Sequence, residues 1–363
     1  MILTITIVII SLILLMSLHE LGHFLLAKKF GITVEEFGIG YPPRIWGKKI
    51  KNTIYSVNWL PLGAFVKILG EDENQKKTTG SFASKPLWQR ALVLFGGVAS
   101  FWIIAFLIIT ILAGISGVPT AVPDSFEGMG KETPKVQIFS VAKDSPAEIS
   151  GIKTGDEIIN IKSQIANLKS NKVGEIQAFI SNHKGEEILF SLKRNEEILN
   201  ITSTPRTNPP EGEGALGVAL VRAANMQVSW YKSPWIGLKI TALQTKDIPV
   251  QWYWLIEKKI NKVPTPDVQL VGPVGLGQIM TQALGQGAGN YLMLVAVIAI
   301  YLAFFNLLPI PALDGGRLLF IAIEAIKRKP VNPKVEQKIT AIFFIALILM
   351  ALIFTFQDIR RLF

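Results

Sequence analysis

Residues 1–29 read MILTITIVIISLILLMSLHELGHFLLAKK, an apolar run that contains the ionisable side chains His19, Glu20 and His23 before it ends at Lys28 and Lys29. A helix that spans a bilayer needs about 20 mostly apolar residues, and residues 1–26 meet that requirement. An ionisable side chain near the bilayer centre costs about 2.5–3.5 kcal/mol, so it usually marks a functional site. We therefore expect a membrane helix that carries chemistry. The run lacks the basic start and the cleavage site of a signal peptide, so we expect it to be retained.

Three further stretches are long and apolar enough to span a membrane, at 91–117, 289–311 and 339–357. Half of the 363 residues are hydrophobic, a composition typical of membrane proteins. The sequence therefore predicts a polytopic α-helical membrane protein with four transmembrane helices. The chain contains no cysteine, which excludes disulfides and a thiolate metal site.

Of the 37 Lys and Arg residues behind the net charge of +10, 17 lie in two connections beside the predicted spans. The connection 27–90 holds eleven Lys and Arg against five acidic residues, and the loop 317–338 holds six Lys and Arg. Short loops of this kind face the cytoplasm, which puts both termini and the 118–288 region outside; Arg360 and Arg361 are a minor exception. Nucleic-acid binding is the less favoured alternative, because the basic residues flank spans without interleaved aromatic residues. The expected partner is the lipid bilayer.

The connection 27–90 has β character, because glycine and proline separate β-prone residues throughout 37–69. Apolar β structure beside a membrane is stable only where protein or a cavity receives its backbone. We therefore predict a membrane-reentrant β-hairpin segment that enters from the cytoplasmic side and lies against the helices.

The region 118–210 predicts one compact extracytoplasmic α/β unit. Ser145 is a suitable N-cap for a helix that begins at Pro146, and Gly155-Asp156 is a suitable turn into a strand. The remaining predicted elements are a helix at Val173–Asn182 and strands at 187–193 and 197–203.

The region 211–288 is expected to contain a linker and interfacial helices. Trp, Tyr and Lys are frequent in 230–262, where Asp247 and Pro249 interrupt the apolar residues. We interpret this segment as two amphipathic helices on the outer leaflet. A strip packed on the α/β unit is the alternative.

His19-Glu20-Leu21-Gly22-His23 is an H-E-x-x-H motif. On a helix, histidines four residues apart lie on one face, where both imidazoles can bind a single Zn²⁺. Glu20 then lies beside the metal, in a position to take and return a proton. A chance match of ordinary residues is the alternative, and the position of the motif inside a span argues against it.

A catalytic zinc ion has three protein ligands and one open position. Asp314, in the third membrane segment 289–316, is the candidate for the third ligand. Pro309 and Pro311 interrupt that helix and free backbone groups, which a hydrated cavity can satisfy. The alternative is an Asp-Gly turn that merely ends a helix.

These motifs occur together with N-x-x-P-x-P-x-L-D-G-G at 306–316, Gly-Pro-Val-Gly at 272–275, and an α/β unit with the Ser-Pro-Ala and Gly-x-x-x-Gly-Asp pattern of a PDZ domain. In this combination the chain resembles the site-2 protease family of intramembrane zinc metalloproteases, in its bacterial regulator-of-sigma-E protease branch. The resemblance covers nearly the whole chain.

The resemblance implies a role for each motif residue. The metal ligands would be His19, His23 and Asp314, the catalytic acid/base Glu20, and the substrate contacts Asn306, Gly63, Ala64 and Phe65. It further implies a bacterial inner-membrane enzyme that cleaves single-span membrane proteins, with anti-sigma factors and remnant signal peptides as the leading substrate classes.

The chain also departs from that family. It has Gly96-Gly97-Val98-Ala99-Ser100 where the family often has Gly-Pro-x-x-Asn, and it shows one PDZ-like unit where several relatives have two. Two other classes of protein are alternatives to a protease. A catalytically inactive adaptor would have lost Glu20 or a ligand, and a transporter would show inverted repeats; neither feature is found in the sequence.

Overall fold

A computed structural model describes residues 2–71, 78–126, 133–194, 197–210, 212–261 and 271–362. Lys76 and Lys77, which contribute to the predicted cytoplasmic charge, lie outside these ranges.

Among the described residues, four helices are long and apolar enough to cross a membrane. They are α1 (Ile2–Lys29), α2 (Leu87–Ile115), α7 (Ala288–Leu307) and α9 (Pro333–Leu362). The prediction of four membrane helices is therefore confirmed.

The membrane core is built around α2. Its buried residues Val98, Phe101, Ala105 and Ile109 recur every three or four positions and pack with alanines of α7. The contact between α1 and α2 is especially close, because a Cβ added at Gly22 would lie 2.2 Å from the carbonyl oxygen of Gly96. Glycine lets two helix backbones approach in this way, so the H-E-x-x-H segment lies directly against α2.

The hairpin predicted in 27–90 is present. Strands β1 (Val34–Ile50) and β2 (Thr53–Ile68) pair antiparallel with Ile50 opposite Thr53. The pairing is irregular at several positions, and Pro42 and Pro43 explain part of this because proline cannot donate to the ladder. A short 3₁₀ helix, Phe82–Ser84, leads into α2.

The α/β unit contains the helix α4 at Val173–Asn182, as predicted, and a short helix α3 (Pro146–Ile149) whose Ser145 side chain accepts a hydrogen bond from the Glu148 N–H. Its core is formed by buried residues such as Ile138, Ile161 and Phe190. In the described part of the chain the sheet order is β3-β9-β4-β5-β7-β8, with β6 on β5. The strands are β3 (Val118–Ala121), β4 (Lys135–Val141), β5 (Glu157–Lys162), β6 (Asn167–Leu168), β7 (Ile188–Arg194), β8 (Glu197–Ser203) and β9 (Val218–Met226).

Strand β9 corrects the prediction for 211–288, where we expected only a linker and helices. It pairs with β4 on one edge and with β3 on the other. The buried Arg222 makes a strand possible here, since its guanidinium donates to the carbonyl oxygens of Asn171, Pro123 and Phe126 at 2.6–2.8 Å. A charged residue is normally expected to be exposed, so Arg222 argued against a strand with buried side chains at this position.

Residues 118–126, which we call the strap, connect α2 to this sheet. The strap pairs with β9 through β3 and continues with a hydrogen bond from the Val122 N–H to the Arg222 carbonyl at 2.8 Å. Both carboxylate oxygens of Asp124 then accept hydrogen bonds from the first N–H groups of α4, those of Val173 and Gly174. The strap therefore holds one edge of the sheet and the start of α4 together.

The end of α2 is bound to the residues that follow β9. Gln227 Nε2 donates to the carbonyl oxygen of Ile115 at 2.8 Å, and the Val228 N–H donates to that of Ala113 at 2.9 Å. Because the last carbonyls of a helix have no partner inside the helix, these bonds join α2 firmly to the α/β unit.

The prediction of two helices divided at Asp247 and Pro249 is wrong. The structure has one helix of 28 residues, α5 (Ser233–Ile260), with Pro249 inside it. It packs lengthwise on the bundle: a Cβ at Gly237 would lie 2.2 Å from Thr110 Oγ1 of α2, and the rings of Trp252 and Phe305 of α7 are 5.9 Å apart. A continuous row of small and apolar contacts stabilises α5 despite its proline.

The third span ends at Leu307, earlier than the predicted residue 311. The predicted loop 317–338 is helical in part, because α8 runs over Asp314–Lys327. The remaining helix, α6 (Pro273–Gly285), receives a capping contact from α9: Asp358 Oδ2 accepts from the Gly275 N–H at 2.8 Å.

Candidate metal centre

The two histidines of the motif lie on one face of α1 and are almost fully buried, His19 at 5% and His23 at 6% exposure. They are one helical turn apart, and their rings meet edge to face with centroids 4.8 Å apart. The helix alone thus brings two imidazoles together, as the spacing predicts.

Asp314 is the first residue of α8 and follows the proline-containing break after α7. Gly315 and Gly316 make this position possible, since a Cβ at Gly315 would lie 2.1 Å from the Leu308 carbonyl oxygen and one at Gly316 would lie 2.3 Å from that of Ile310. The two glycines therefore let the start of α8 fold back against the break, which directs Asp314 to α1.

The three side chains form a nearly equilateral triangle of ligand atoms. His19 Nε2 and His23 Nε2 are 3.3 Å apart, and each lies 3.3 Å from Asp314 Oδ2. Two ligands at about 2.0–2.1 Å from a zinc ion, with a tetrahedral angle between them, are separated by about 3.3–3.4 Å. Among the described residues these three form a group of potential metal ligands, and its dimensions fit a tetrahedral zinc site.

The hydrogen bonds of the three side chains are also consistent with a cation between them. Within the described residues, His19 Nδ1 and Asp314 Oδ2 are buried without a hydrogen-bond partner, whereas His23 Nδ1 lies 2.9 Å from the Val93 carbonyl oxygen. A buried carboxylate oxygen without a donor is costly unless a positive charge faces it. Imidazole nitrogen and carboxylate oxygen are common zinc ligands.

Glu20 lies next to His19 on α1 and is partly buried. Its carboxylate is within electrostatic range of both imidazoles and of Asp314. The structure therefore brings together the four residues that the sequence singled out for chemistry.

The other predicted site residues have contacts of their own. The Asn306 amide donates to the Leu302 carbonyl in its own helix at 2.9 Å. Ala64 is buried, and Phe65 stacks on Tyr41 with ring centroids 6.0 Å apart. A Cβ at Gly63 would lie 3.9 Å from the Cβ of Met16, so the hairpin reaches α1 one turn before Glu20.

Sequence reasoning missed the contribution of α2 to this site. Val93 and Gly97 lie against the imidazole of His23, and Phe101 stacks on that of His19. The one available signal was the pair of glycines at 96–97 inside an apolar span, because glycine there indicates a close approach of another group.

Three potential metal ligands among helices apolar enough to cross a membrane, with a glutamate beside them, are the features of a membrane-embedded metallopeptidase. The chain belongs to peptidase family M50, the site-2 proteases, whose sequence profile matches residues 7–350. It is accordingly an integral membrane zinc metalloprotease, and Zn²⁺ is its cofactor.

Curated relatives cover almost the whole chain. The regulator of sigma-W protease RasP of Bacillus subtilis is 27% identical, with 96% of each chain aligned. The zinc metalloprotease RasP of Geobacillus kaustophilus is 29% identical, again over 96% of each chain. A protein of Clostridium perfringens that carries a provisional zinc metalloprotease name is 30% identical over 95% of each chain.

Proposed function

We propose that this chain hydrolyses peptide bonds within or next to the transmembrane segment of single-span membrane proteins. The observation that supports this most directly is the triangle of His19, His23 and Asp314, which lies among helices apolar enough to span a bilayer. A protease with its metal ligands at that depth acts on chains that are themselves in or beside the membrane.

In this proposal His19, His23 and Asp314 hold the zinc ion and Glu20 is the catalytic acid/base. A zinc ion bound by these residues would polarise a peptide carbonyl and would lower the pKa of a bound water toward about 7. Glu20 accepts a proton from the attacking water and then donates it to the leaving amine. The surrounding apolar helices exclude bulk water, which strengthens each of these electrostatic interactions.

We further propose that the β1–β2 hairpin re-enters the membrane and that Gly63, Ala64 and Phe65 contact the substrate. A helix hides its peptide carbonyls in internal hydrogen bonds, so a substrate span must unwind before cleavage, and a strand edge can then pair with it. The closeness of Gly63 to Met16 supports this role. Asn306 would provide an amide contact to the same substrate.

The substrate class and the location belong to the same proposal. The name of the Bacillus subtilis relative, regulator of sigma-W protease, favours anti-sigma factors, and remnant signal peptides are the second class. The enzyme would lie in the bacterial inner membrane with both termini and a PDZ-like α/β unit outside. The lysine and arginine content of 27–90 and 317–338 supports that orientation.

The role of Glu20 is tested with purified full-length protein in liposomes that contain a fluorescent single-span substrate. Glu20→Gln should reduce the cleavage rate by at least about 100-fold, since general acid–base catalysis contributes that much or more. Glu324→Gln, which changes a glutamate that pairs with Arg90 on α2 instead, is the control. Equal cleavage by Glu20→Gln and the parent would remove Glu20 from the mechanism.

The ligand set is tested by elemental analysis of bound zinc. Asp314→Ala should lose zinc, because only two protein ligands remain. Asp358→Ala is the control, since Asp358 is a buried aspartate of α9 that caps α6. Full zinc content in Asp314→Ala would show that this carboxylate is not a ligand.

A further inference from the structure

Helix α2 supplies none of the three proposed ligands, yet it contacts both histidines. Val93, Gly97 and Phe101 are spaced four residues apart and therefore lie in one row along a single face of the helix. Each of the three meets an imidazole in a different way.

His23 is oriented by a hydrogen bond to Val93, and its ring fits against α2 because Gly97 has no side chain. Its Nδ1 lies 2.9 Å from the Val93 carbonyl oxygen, and because a carbonyl can only accept, Nδ1 must carry the proton. The Nε2 lone pair is then free to face the triangle. A Cβ at Gly97 would lie 2.1 Å from His23 Nε2, so any side chain at this position displaces the ring.

His19 is oriented in a different manner. Its Nδ1 has no hydrogen-bond partner among the described residues, although the second nitrogen of a metal-bound histidine almost always has one. Instead its ring lies on the ring of Phe101, with centroids 4.5 Å apart and planes at 15°. Phe101 is fully buried, so this stacking surface is held in place by the core of the bundle.

We propose that Val93, Gly97 and Phe101 are positioning residues that fix the two histidines for zinc, Val93 and Gly97 at His23 and Phe101 by stacking on His19. This inference rests on the proposed ligand set. It makes α2 the support of both imidazoles, with Gly97 leaving room for the His23 ring.

The test measures zinc affinity by competition with a chelator, using purified full-length protein. Phe101→Leu should weaken zinc binding about 10- to 100-fold, the usual effect of losing an outer-shell partner. Phe101→Tyr keeps the flat ring and should restore near-parent affinity. Phe190→Leu removes a fully buried phenylalanine from the core of the α/β unit and should leave zinc affinity unchanged.

A second measurement separates positioning from general loss of packing. With Co²⁺ in place of zinc, visible absorption reports the coordination geometry directly. Phe101→Leu should change this spectrum, and Phe190→Leu should not. If Phe101→Leu does not fold, Phe101→Met provides a similar volume without a flat surface and decides the question in its place.

A pair of glycine variants tests the proposed role of Gly97 at His23. Gly97→Ala should weaken zinc binding by displacing His23. In Gly114→Ala, near the other end of α2, the added methyl group would lie 3.3 Å from Ser233 Oγ of α5, so zinc affinity should stay at the parent value. Parent-like affinity and an unchanged cobalt spectrum in both Phe101→Leu and Gly97→Ala would overturn the inference. Unchanged zinc content in His19→Ala would instead show that the proposed ligand set is wrong.

Discussion

Asp156 and Arg194 form the best-buried ion pair of the α/β unit among those that the structure describes. Arg194 donates to both carboxylate oxygens at 2.7 Å, and Asp156 also accepts from the Lys153 N–H. Asp156 is 1% exposed. A charge this deep depends on its partner, because the same carboxylate without the guanidinium would be buried and unpaired.

We therefore expect Arg194→Ala to destabilise the unit by about 3–5 kcal/mol, the usual effect of removing one partner of a buried pair. Hydrogen–deuterium exchange of β5 and β7 in the full-length protein measures this change. In contrast, Lys172→Ala should change stability by about 0–1 kcal/mol, since Lys172 and its partner Glu175 are half exposed. Equal exchange in the two variants would contradict the assignment.

The sequence predicts the candidate site residues His19, Glu20, His23 and Asp314 because their residue types and spacing are those that a zinc site requires. It does not predict the supporting residues. Val93 acts through a backbone carbonyl, which has no sequence signature, and Phe101 in an apolar span is indistinguishable from ordinary core. A residue whose own functional group does the chemistry can be recognised from its type and spacing. A residue that only packs against such a group cannot.

Among the elements, α5 and α2 meet through small side chains. The Cβ of Ser233 lies 3.5 Å from a Cβ built on Gly114, a separation that suits a disulfide bond. Because the chain has no cysteine of its own, we expect the double variant Gly114→Cys, Ser233→Cys to cross-link under mild oxidation. Gel mobility measures the cross-link.

The control pair is Gly114→Cys with Leu238→Cys, since Leu238 lies on the exposed side of α5. This pair should remain uncross-linked. If the pair with Ser233 also fails to cross-link, α5 does not pack along α2. The interpretation of residues 230–262 as interfacial helices would then be preferred.

The strap is sensitive to acid through Asp124. A hydrogen bond from the Gly174 N–H, with a second from Val173, holds the pKa of the Asp124 carboxyl below its ordinary value of 3.8. A group with a lowered pKa stabilises the folded state fully above its ordinary value, and this contribution is lost as the pH falls through the lowered one.

We therefore expect the strap to loosen as the pH falls below 3.8, seen as faster hydrogen exchange of residues 118–126 after correction for the intrinsic rate. Asp124→Asn has no ionisable group at this position and should lack this dependence. The same loosening with pH in both proteins would exclude Asp124 as its origin.

The elements that the sequence predicts well are those with a strong period or a clear cap, such as α4 and the short helix after Ser145. Strand β9 and the continuous helix α5 were missed for a common reason. Each contains a residue that breaks the local rule, Arg222 in the first case and Pro249 in the second, and each is stabilised by contacts distant in sequence. Tertiary contacts of this kind override local preference.

For the whole molecule, the charge distribution predicts which side each segment occupies. A cysteine introduced at the exposed position Lys169 of the α/β unit should react with a membrane-impermeant maleimide on intact spheroplasts. A cysteine at the exposed position Lys48 of the hairpin should react only after the membrane is permeabilised. The reverse pattern would invert the proposed topology.

The attachment of α2 at both of its ends has a mechanical consequence. Its last carbonyls are bound by Gln227 and Val228 beside the sheet, and the row from Val93 to Phe101 touches the imidazoles. From Val93 to Ile115 the helix rises about 33 Å at 1.5 Å per residue. Because one continuous helix joins these two sets of contacts, we expect a displacement of the α/β unit relative to the bundle to shift the groups that orient the two histidines.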